Sequence, residues 1–93
     1  MNGVNEPEIE IFVKNGYLYM IVSHDLGLKK VDFTINGKEY NFDETSENYE
    51  EEKLQLKRRK KLKEGENTIK ILAYSVEDTE SKVEETYQHT PSN

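Results

Sequence analysis

The segment from residue 62 to residue 73 constrains the fold of this chain more than any other. Gly65 marks a turn, Asn67 follows it, and the apolar residues Ile69 and Ile71 then alternate with other residues. Alternation at period two is typical of a half-buried strand, because successive side chains of a strand point to opposite faces. The segment therefore predicts a turn followed by a strand of the core.

Two Asn-Gly pairs, Asn15-Gly16 and Asn36-Gly37, each stand between two further alternating segments. Such a pair is typical of a two-residue hairpin, because both central residues of a type I′ turn need a positive φ. Short strands at this spacing, with glycine turns between them, indicate an all-β sandwich. The predicted strands are residues 8–13, 17–23, 30–36, 38–42, 67–76 and 82–87, with turns at 25–27 and 77–80.

Residues 46–63 allow two interpretations, a strand or a helix. Their Glu, Lys, Leu, Gln and Arg content favours a helix, and acids precede bases as the helix dipole prefers. Against this, Leu54, Leu56 and Leu62 share one parity, as the inward residues of a strand do. Two bases within the segment, Arg58 and Lys60, have that same parity. A strand here would therefore need a bulge, an edge position, or basic side chains whose stems lie along apolar surface.

The length of 93 residues fits one domain with a thin core. We expect a flexible tail over residues 1–7, a sandwich domain over 8–88, and a tail or linker over 89–93. The chain has no cysteine, so packing alone must hold the domain together. The predicted core consists of Ile9, Ile11, Val13, Leu18, Met20, Val22, Val31, Phe33, Ile35, Phe42, Leu54, Leu56, Leu62, Ile69, Ile71 and Ala73.

Composition also bears on function. The net charge of −6 argues against nucleic acid as a partner, because like charges repel. Without cysteine there is no thiol catalysis and no Cys-based zinc site, and we predict no cofactor. No run of about 18 apolar residues exists, so we expect no membrane insertion.

Four segments in order resemble the bacterial immunoglobulin-like modules, relatives of fibronectin type III and cadherin-like repeats. They begin at Asn15, Asp25, Ile35 and Leu62, and the last has the form L-x-x-G-x-N-x-I-x-I-x-A. The resemblance implies an immunoglobulin-like antiparallel β-sandwich of about seven strands. It also implies a non-catalytic spacer or adhesion module of a larger bacterial cell-surface or secreted protein, located outside the cell. The implied partners are neighbouring domains of the same protein or another surface protein.

The consecutive residues Ser23, His24 and Asp25 do not predict a catalytic triad. Neighbouring side chains on a strand point to opposite faces, whereas a triad needs all three to converge. We therefore predict that the domain is not an enzyme.

A basic run covers residues 57–61, and seven bases without an acid lie within residues 53–63. It raises an alternative function, a binding module for a glycan or polyanion. We predict an interaction surface at Lys57, Arg59, Lys61 and Lys63. No aromatic residue lies between Glu50 and Ala73 to interleave with these bases, whereas single-stranded nucleic-acid binders usually interleave aromatic residues for base stacking. Exposed tyrosines offer a further surface for sugars or proteins; the candidates are Tyr17, Tyr19, Tyr40, Tyr49, Tyr74 and Tyr87.

The sandwich topology predicts that acidic loops meet at one end. The loops near Asp25, over residues 43–52 and over 77–80 should cluster there, while the bases near Lys63 lie at the other end. Two hypotheses follow: acidic and basic ends of successive modules meet in a tandem array, or the acidic end binds Ca²⁺ weakly. The Ca²⁺ candidates are Asp25, Glu77 and Asp78. We also expect the two chain termini at opposite ends.

Overall fold

The computed structural model describes residues 5–91 of the chain. Two antiparallel sheets, ordered β1-β2-β5 and β4-β3-β6-β7, pack face to face as a β-sandwich. This confirms the predicted all-β sandwich of seven strands. The elements are β1 Glu8–Lys14, β2 Tyr17–Ser23, β3 Leu28–Ile35, β4 Lys38–Asp43, α1 Tyr49–Glu52, β5 Gln55–Lys61, β6 Gly65–Ser75 and β7 Glu80–His89.

Both Asn-Gly hairpins form as predicted. The φ angles are 52° at Asn15 and 78° at Gly16, and 51° at Asn36 and 81° at Gly37. Both central residues of each turn thus adopt the left-handed region that a type I′ turn requires. The first turn fixes the β1–β2 register, in which Phe12 lies opposite Tyr19.

The core consists of inward-facing apolar side chains from both sheets, and twelve of the sixteen predicted core residues are buried there. Ile9 and Ile11 are partly buried against it. The predictions for Val13 and Leu54 are wrong, since these residues are 43% and 51% exposed. Val13 lies near the end of the edge strand β1, and Leu54 lies in the link between α1 and β5, outside any ladder. The buried apolar residues are Leu18, Met20, Val22, Leu28, Val31, Phe33, Ile35, Phe42, Leu56, Leu62, Ile69, Ile71 and Ala73.

The ambiguous segment contains both structures. A four-residue helix, α1, holds its acidic part, and the basic part is β5, an edge strand paired only with β2. Arg58 and Lys60 point toward the open edge of the sandwich, where the guanidinium of Arg58 lies 6.0 Å from the Phe42 ring centre. The edge position and the covering basic side chains are two of the three arrangements predicted for a strand.

Strand β6 carries a buried polar residue at each end of its inward face. Asn67 begins the face and Ser75 ends it, and both are 0% exposed. The Ser75 hydroxyl accepts hydrogen bonds from the backbone N–H of Glu77 (3.0 Å) and of Thr79 (3.2 Å), so it closes the β6–β7 turn. The Asn67 amide closes the β5–β6 corner, because it accepts a hydrogen bond from the Lys63 N–H and donates one to the Lys63 carbonyl. Side-chain hydrogen bonds therefore connect β6 to the backbone of the loop at each of its ends.

Both predicted tails need correction. Residues 5–7 are attached to the domain: the exposed Asn5 accepts a hydrogen bond at its carbonyl from the Thr79 hydroxyl (2.6 Å), and Pro7 is buried. Residues 1–4 of that predicted tail lie outside the described residues. At the other terminus β7 continues to His89, which pairs with Gly65, so His89 belongs to the sheet. Of the remaining predicted tail, residues 92 and 93 lie outside the described residues.

The ion pair between Arg58 and Glu52 predicts a pH-dependent contribution to stability. The guanidinium donates to both carboxylate oxygens, at 2.9 and 3.2 Å, and it holds the pKa of Glu52 below its ordinary value of 4.5. A carboxyl whose pKa falls on folding stabilises the protein above the unfolded pKa, and that stabilisation disappears as pH falls through the folded pKa. We expect Glu52→Gln to lower the free energy of unfolding by roughly 0.5–1 kcal/mol at neutral pH.

Urea unfolding of both proteins at pH 7, and at several values below 4.5, measures this effect. The two curves should converge as the medium becomes acidic, whereas the exposed control Glu51→Gln should follow the parent at every pH. A Glu52→Gln deficit that is the same at pH 7 and at pH 2 would contradict the assignment.

Candidate functional site

Strand alternation divides the basic run between two surfaces. Lys57, Arg59 and Lys61 lie on the outer face of the β1-β2-β5 sheet, because their partners on β2 alternate with the buried residues of that strand. Arg58 and Lys60 point the other way, toward the open edge between the sheets. Lys63 follows two residues after β5, where the chain enters the Asn67 corner, and has no partner on β2. The structure thus groups three of the four predicted surface residues.

Aromatic residues of neighbouring strands lie beside these bases. Lys61 pairs with Tyr17 and Arg59 pairs with Tyr19, and on the far side of Tyr19 lies Phe12 of β1. No aromatic residue lies between Glu50 and Ala73 in the sequence, but pairing across the sheet places aromatic residues of β1 and β2 beside these bases. We call this surface the basic–aromatic face; it comprises Phe12, Tyr17, Tyr19, Lys57, Arg59 and Lys61.

The aromatic rings of the face contact their neighbours closely. The rings of Phe12 and Tyr19 are nearly parallel, at 7°, with centroids 5.0 Å apart, and the Arg59 guanidinium lies 4.8 Å from the Tyr17 ring centre. Such cross-strand pairs stabilise a sheet, and an arginine over an aromatic ring is held by the ring's electron-rich face. These contacts orient the Arg59 side chain on the outer surface.

The bases of the face lack acidic partners among the described residues. Within residues 5–91, no carboxylate oxygen lies within 4.0 Å of the charged nitrogens of Lys57, Arg59 or Lys61. All three side chains are exposed. Because they occupy alternate positions of one strand, they form a row with a repeat of about 6.7 Å. The face therefore presents an evenly spaced row of charges that an extended anion can neutralise.

The remaining tyrosines do not form a common surface. Tyr40 lies at the open edge between the sheets, and Tyr49 packs against Phe42 while its hydroxyl donates to the Leu28 carbonyl at 2.6 Å. Burial raises the pKa of Tyr49. Tyr74 lies on the outer side of the other sheet, and Tyr87 packs partly against the core. Only Tyr17 and Tyr19 join the basic–aromatic face.

The acidic loops meet at one end of the sandwich, as predicted. The N–H of Val76 donates to the Gly27 carbonyl (2.9 Å), and the N–H of Leu28 donates to the Lys53 carbonyl. The opposite end is less basic than predicted, because Glu64 and Glu66 share it with the lysines.

The Ca²⁺ candidates are not assembled into a site by these loops. Asp25 accepts a hydrogen bond from the Asn5 amide at 3.1 Å, and Asp78 pairs with the Lys29 ammonium at 3.1 Å. Glu77 is exposed. In the part of the chain that the structure describes, no three His, Cys, Asp or Glu residues form a group that could hold a metal ion.

The His24 ring is occupied by backbone groups rather than by Ser23 or Asp25. Its Nδ1 accepts hydrogen bonds from the N–H groups of Leu26 (3.1 Å) and Gly27 (3.3 Å). Its Nε2 lies 3.0 Å from the Asn5 carbonyl, so the neutral tautomer with hydrogen on Nε2 satisfies all three contacts. His24 is therefore a structural residue of the β2–β3 turn.

Sequence reasoning missed the aromatic half of the face, although a signal for it was present. A two-residue turn at Asn15-Gly16 places Lys14 opposite Tyr17, and continuing the antiparallel register away from the turn places Phe12 opposite Tyr19. The further pairing of Tyr19 with Arg59 joins strands about 40 residues apart in the chain, and no local pattern encodes it.

Comparison of the chain with protein-family models, with curated proteins and with solved structures gives no match. Within residues 5–91, no helix has the length and apolar character needed to cross a bilayer.

Proposed function

We propose that this chain is a non-catalytic structural and interaction module of a larger bacterial cell-surface or secreted protein, acting outside the cell. The observation that carries the proposal is that the first and last described segments, at Asn5 and at His89, lie at opposite ends of the sandwich. Asn5 lies beside Asp25 and Thr79 at the acidic end, whereas His89 pairs with Gly65 at the other. A chain that enters at one end and leaves at the other suits an element of a linear array.

The shape and strand order support the same role. The domain measures 48 × 33 × 21 Å, so it is elongated. Its three-stranded and four-stranded antiparallel sheets suit the immunoglobulin-like arrangement that the sequence resembles. The acidic end would face the lysines at the exit end of a preceding copy, which they share with Glu64 and Glu66, and this contact would stiffen the array at low ionic strength.

A protein of two fused copies tests the proposal by small-angle X-ray scattering. We expect a maximum dimension of about twice the 48 Å length of one copy at low salt. Because screening weakens the contact between the ends, the average dimension should shrink in about 0.5 M salt. A fused pair that folds back to the length of one copy under both conditions would contradict the spacer role.

A second candidate function is binding of an anionic glycan or another polyanion, and the basic–aromatic face favours it. Its three exposed bases lack acidic partners within residues 5–91, and they repeat along one strand. We expect dextran sulfate to bind this face while uncharged dextran of the same length does not. Affinity should fall with salt, because binding releases counterions from the polyanion.

Replacing Lys57, Arg59 and Lys61 together by glutamine should weaken dextran sulfate binding about tenfold or more. The matched control replaces three bases on the outer face of the other sheet, Lys30, Lys70 and Lys82, which leaves the net charge the same as in the first variant. Isothermal titration calorimetry at two salt concentrations compares the variants. Equal losses in both would show that net charge, rather than this face, determines binding.

A further inference from the structure

A cleft of about 200 Å³ opens between the two edge strands β4 and β5, where the sheets of the sandwich part. The core residues Met20, Phe33 and Ile35 form its floor. Tyr40 of β4 and Lys60 of β5 stand on its two sides. This cleft is separate from the basic–aromatic face, because its basic residues have the opposite parity on β5.

The cleft combines an apolar floor with a cationic rim. The Lys60 ammonium lies 4.9 Å and the Lys38 ammonium 5.5 Å from the Tyr40 ring centre. Part of this arrangement serves stability, since long basic side chains at a sheet edge cover apolar surface and discourage strand pairing. Arg58 fits that role fully, because Glu52 and the Lys57 carbonyl already bind its guanidinium.

Covering the sheet edge does not explain why the Tyr40 hydroxyl lies buried in the cleft. Its oxygen is buried yet makes no hydrogen bond within the described residues. A buried hydroxyl without a partner is costly, so native proteins rarely keep one without a purpose. The nearby Lys60 ammonium above all, together with that of Lys38, stabilises the ionised form of this hydroxyl and so lowers its pKa. The buried hydroxyl without a hydrogen bond thus lies on a ring that two ammonium groups flank, and a carboxylate is the group that can accept hydrogen bonds from all three.

We propose that the cleft between β4 and β5 binds a small monocarboxylate with one apolar ring. The ring lies on Met20, Phe33 and Ile35, and the carboxylate accepts the Tyr40 hydrogen bond between the ammonium groups of Lys38 and Lys60. The size supports a ligand of this class, since a cavity of about 150 Å³ takes up benzene and the cleft has room for a ring with its carboxylate. The inference does not depend on the spacer or polyanion functions proposed above.

Methyl-¹³C NMR of methionine provides a direct test. The chain has two methionines, Met1 and Met20, and Met20 lies on the cleft floor. We expect phenylacetate to shift the Met20 methyl signal saturably, through the ring current of the bound ligand, with a dissociation constant of about 1 mM. Phenylacetamide, which keeps the ring but lacks the charge, should bind about tenfold more weakly.

Two variants locate the contact. Tyr40→Phe removes the hydroxyl, and Lys60→Met removes the ammonium while keeping the stem, so each should weaken phenylacetate binding about fivefold or more. Lys57→Met, on the same strand but the outer face, should bind like the parent. The proposal is overturned if the Met20 signal does not move up to about 20 mM phenylacetate, if phenylacetamide binds equally well, or if Lys57→Met weakens binding as much as Lys60→Met. The ligand comparison requires no variant, so it remains decisive if a substitution impairs folding.

Discussion

Replacing Asn67 by leucine is expected to lower the free energy of unfolding by about 3 kcal/mol. The Asn67 side chain is fully buried, and its amide donates to the carbonyls of Lys63 (3.0 Å) and Gly65 (3.1 Å). Its oxygen accepts from the Lys63 N–H at 3.0 Å and from the Asn36 amide at 3.1 Å. Leucine has a similar size but leaves these groups without partners, and each unmet buried hydrogen bond costs about 1–3 kcal/mol.

Urea unfolding followed by far-ultraviolet circular dichroism measures this loss. The neighbouring exposed residue supplies the control, since Thr68→Ala should change stability by less than about 0.5 kcal/mol. An Asn67→Asp variant separates the donor from the acceptor, because it keeps the oxygen that binds Lys63 N–H but removes the amide hydrogens. We expect Asn67→Asp to be destabilised as well, since its oxygens would face the carbonyls of Lys63 and Gly65. A loss below about 1 kcal/mol for Asn67→Leu would show that the corner does not depend on this amide.

The second large effect is expected at His24, where alanine should cost about 2 kcal/mol. The imidazole is 5% exposed and holds three backbone groups together: the N–H groups of Leu26 and Gly27 and the Asn5 carbonyl. Alanine leaves both N–H groups without their acceptor, and it releases the segment that precedes β1. We therefore expect the β2–β3 turn and the entry of the chain to loosen together.

An asparagine at this position tests the mechanism. Its short side chain can accept hydrogen bonds from the backbone two residues ahead, so His24→Asn should restore part of the turn but not the contact with Asn5. Amide hydrogen exchange distinguishes the variants: the Leu26 and Gly27 N–H groups should exchange fast in His24→Ala and more slowly in His24→Asn. The control Ser23→Ala should leave both rates unchanged. Identical stability of His24→Ala and the parent would contradict this role.

The recognisable segment of residues 62–73 now has a physical explanation. Leu62, Ile69 and Ile71 are buried in the core, as the alternation predicted. Asn67 faces inward on the same side of β6 as Ile69 and Ile71 but has a different role, since its amide closes the corner that begins at Gly65. A buried asparagine is tolerated only where its hydrogen bonds are satisfied. The segment therefore combines apolar residues that build the core with one polar residue that holds the preceding corner.

The basic run shows how far sequence reasoning reached toward the candidate site. Parity alone separated Lys57, Arg59 and Lys61 from Arg58 and Lys60, because alternation is a property of any strand. What surrounds each set depends on which strands pair and which edges remain open. The aromatic partners of the first set and the cleft beside the second therefore became visible only in the assembled sandwich.

The sequence by itself determined the elements whose signals are local. Period-two alternation placed most of the core, and each Asn-Gly pair fixed a hairpin, since both effects act within a few residues. Only the tertiary structure decided the secondary structure of residues 46–63. Their acidic part forms the helix α1, in line with its helix propensity, and their basic part forms the strand β5 because it pairs with β2. The tertiary structure also decided that residues 5–7 and His89 belong to the domain, and that Val13 and Leu54 remain exposed. Burial and strand pairing depend on segments that are distant in the chain. The free energy they contribute exceeds the small differences in intrinsic helix and strand propensity of these residues.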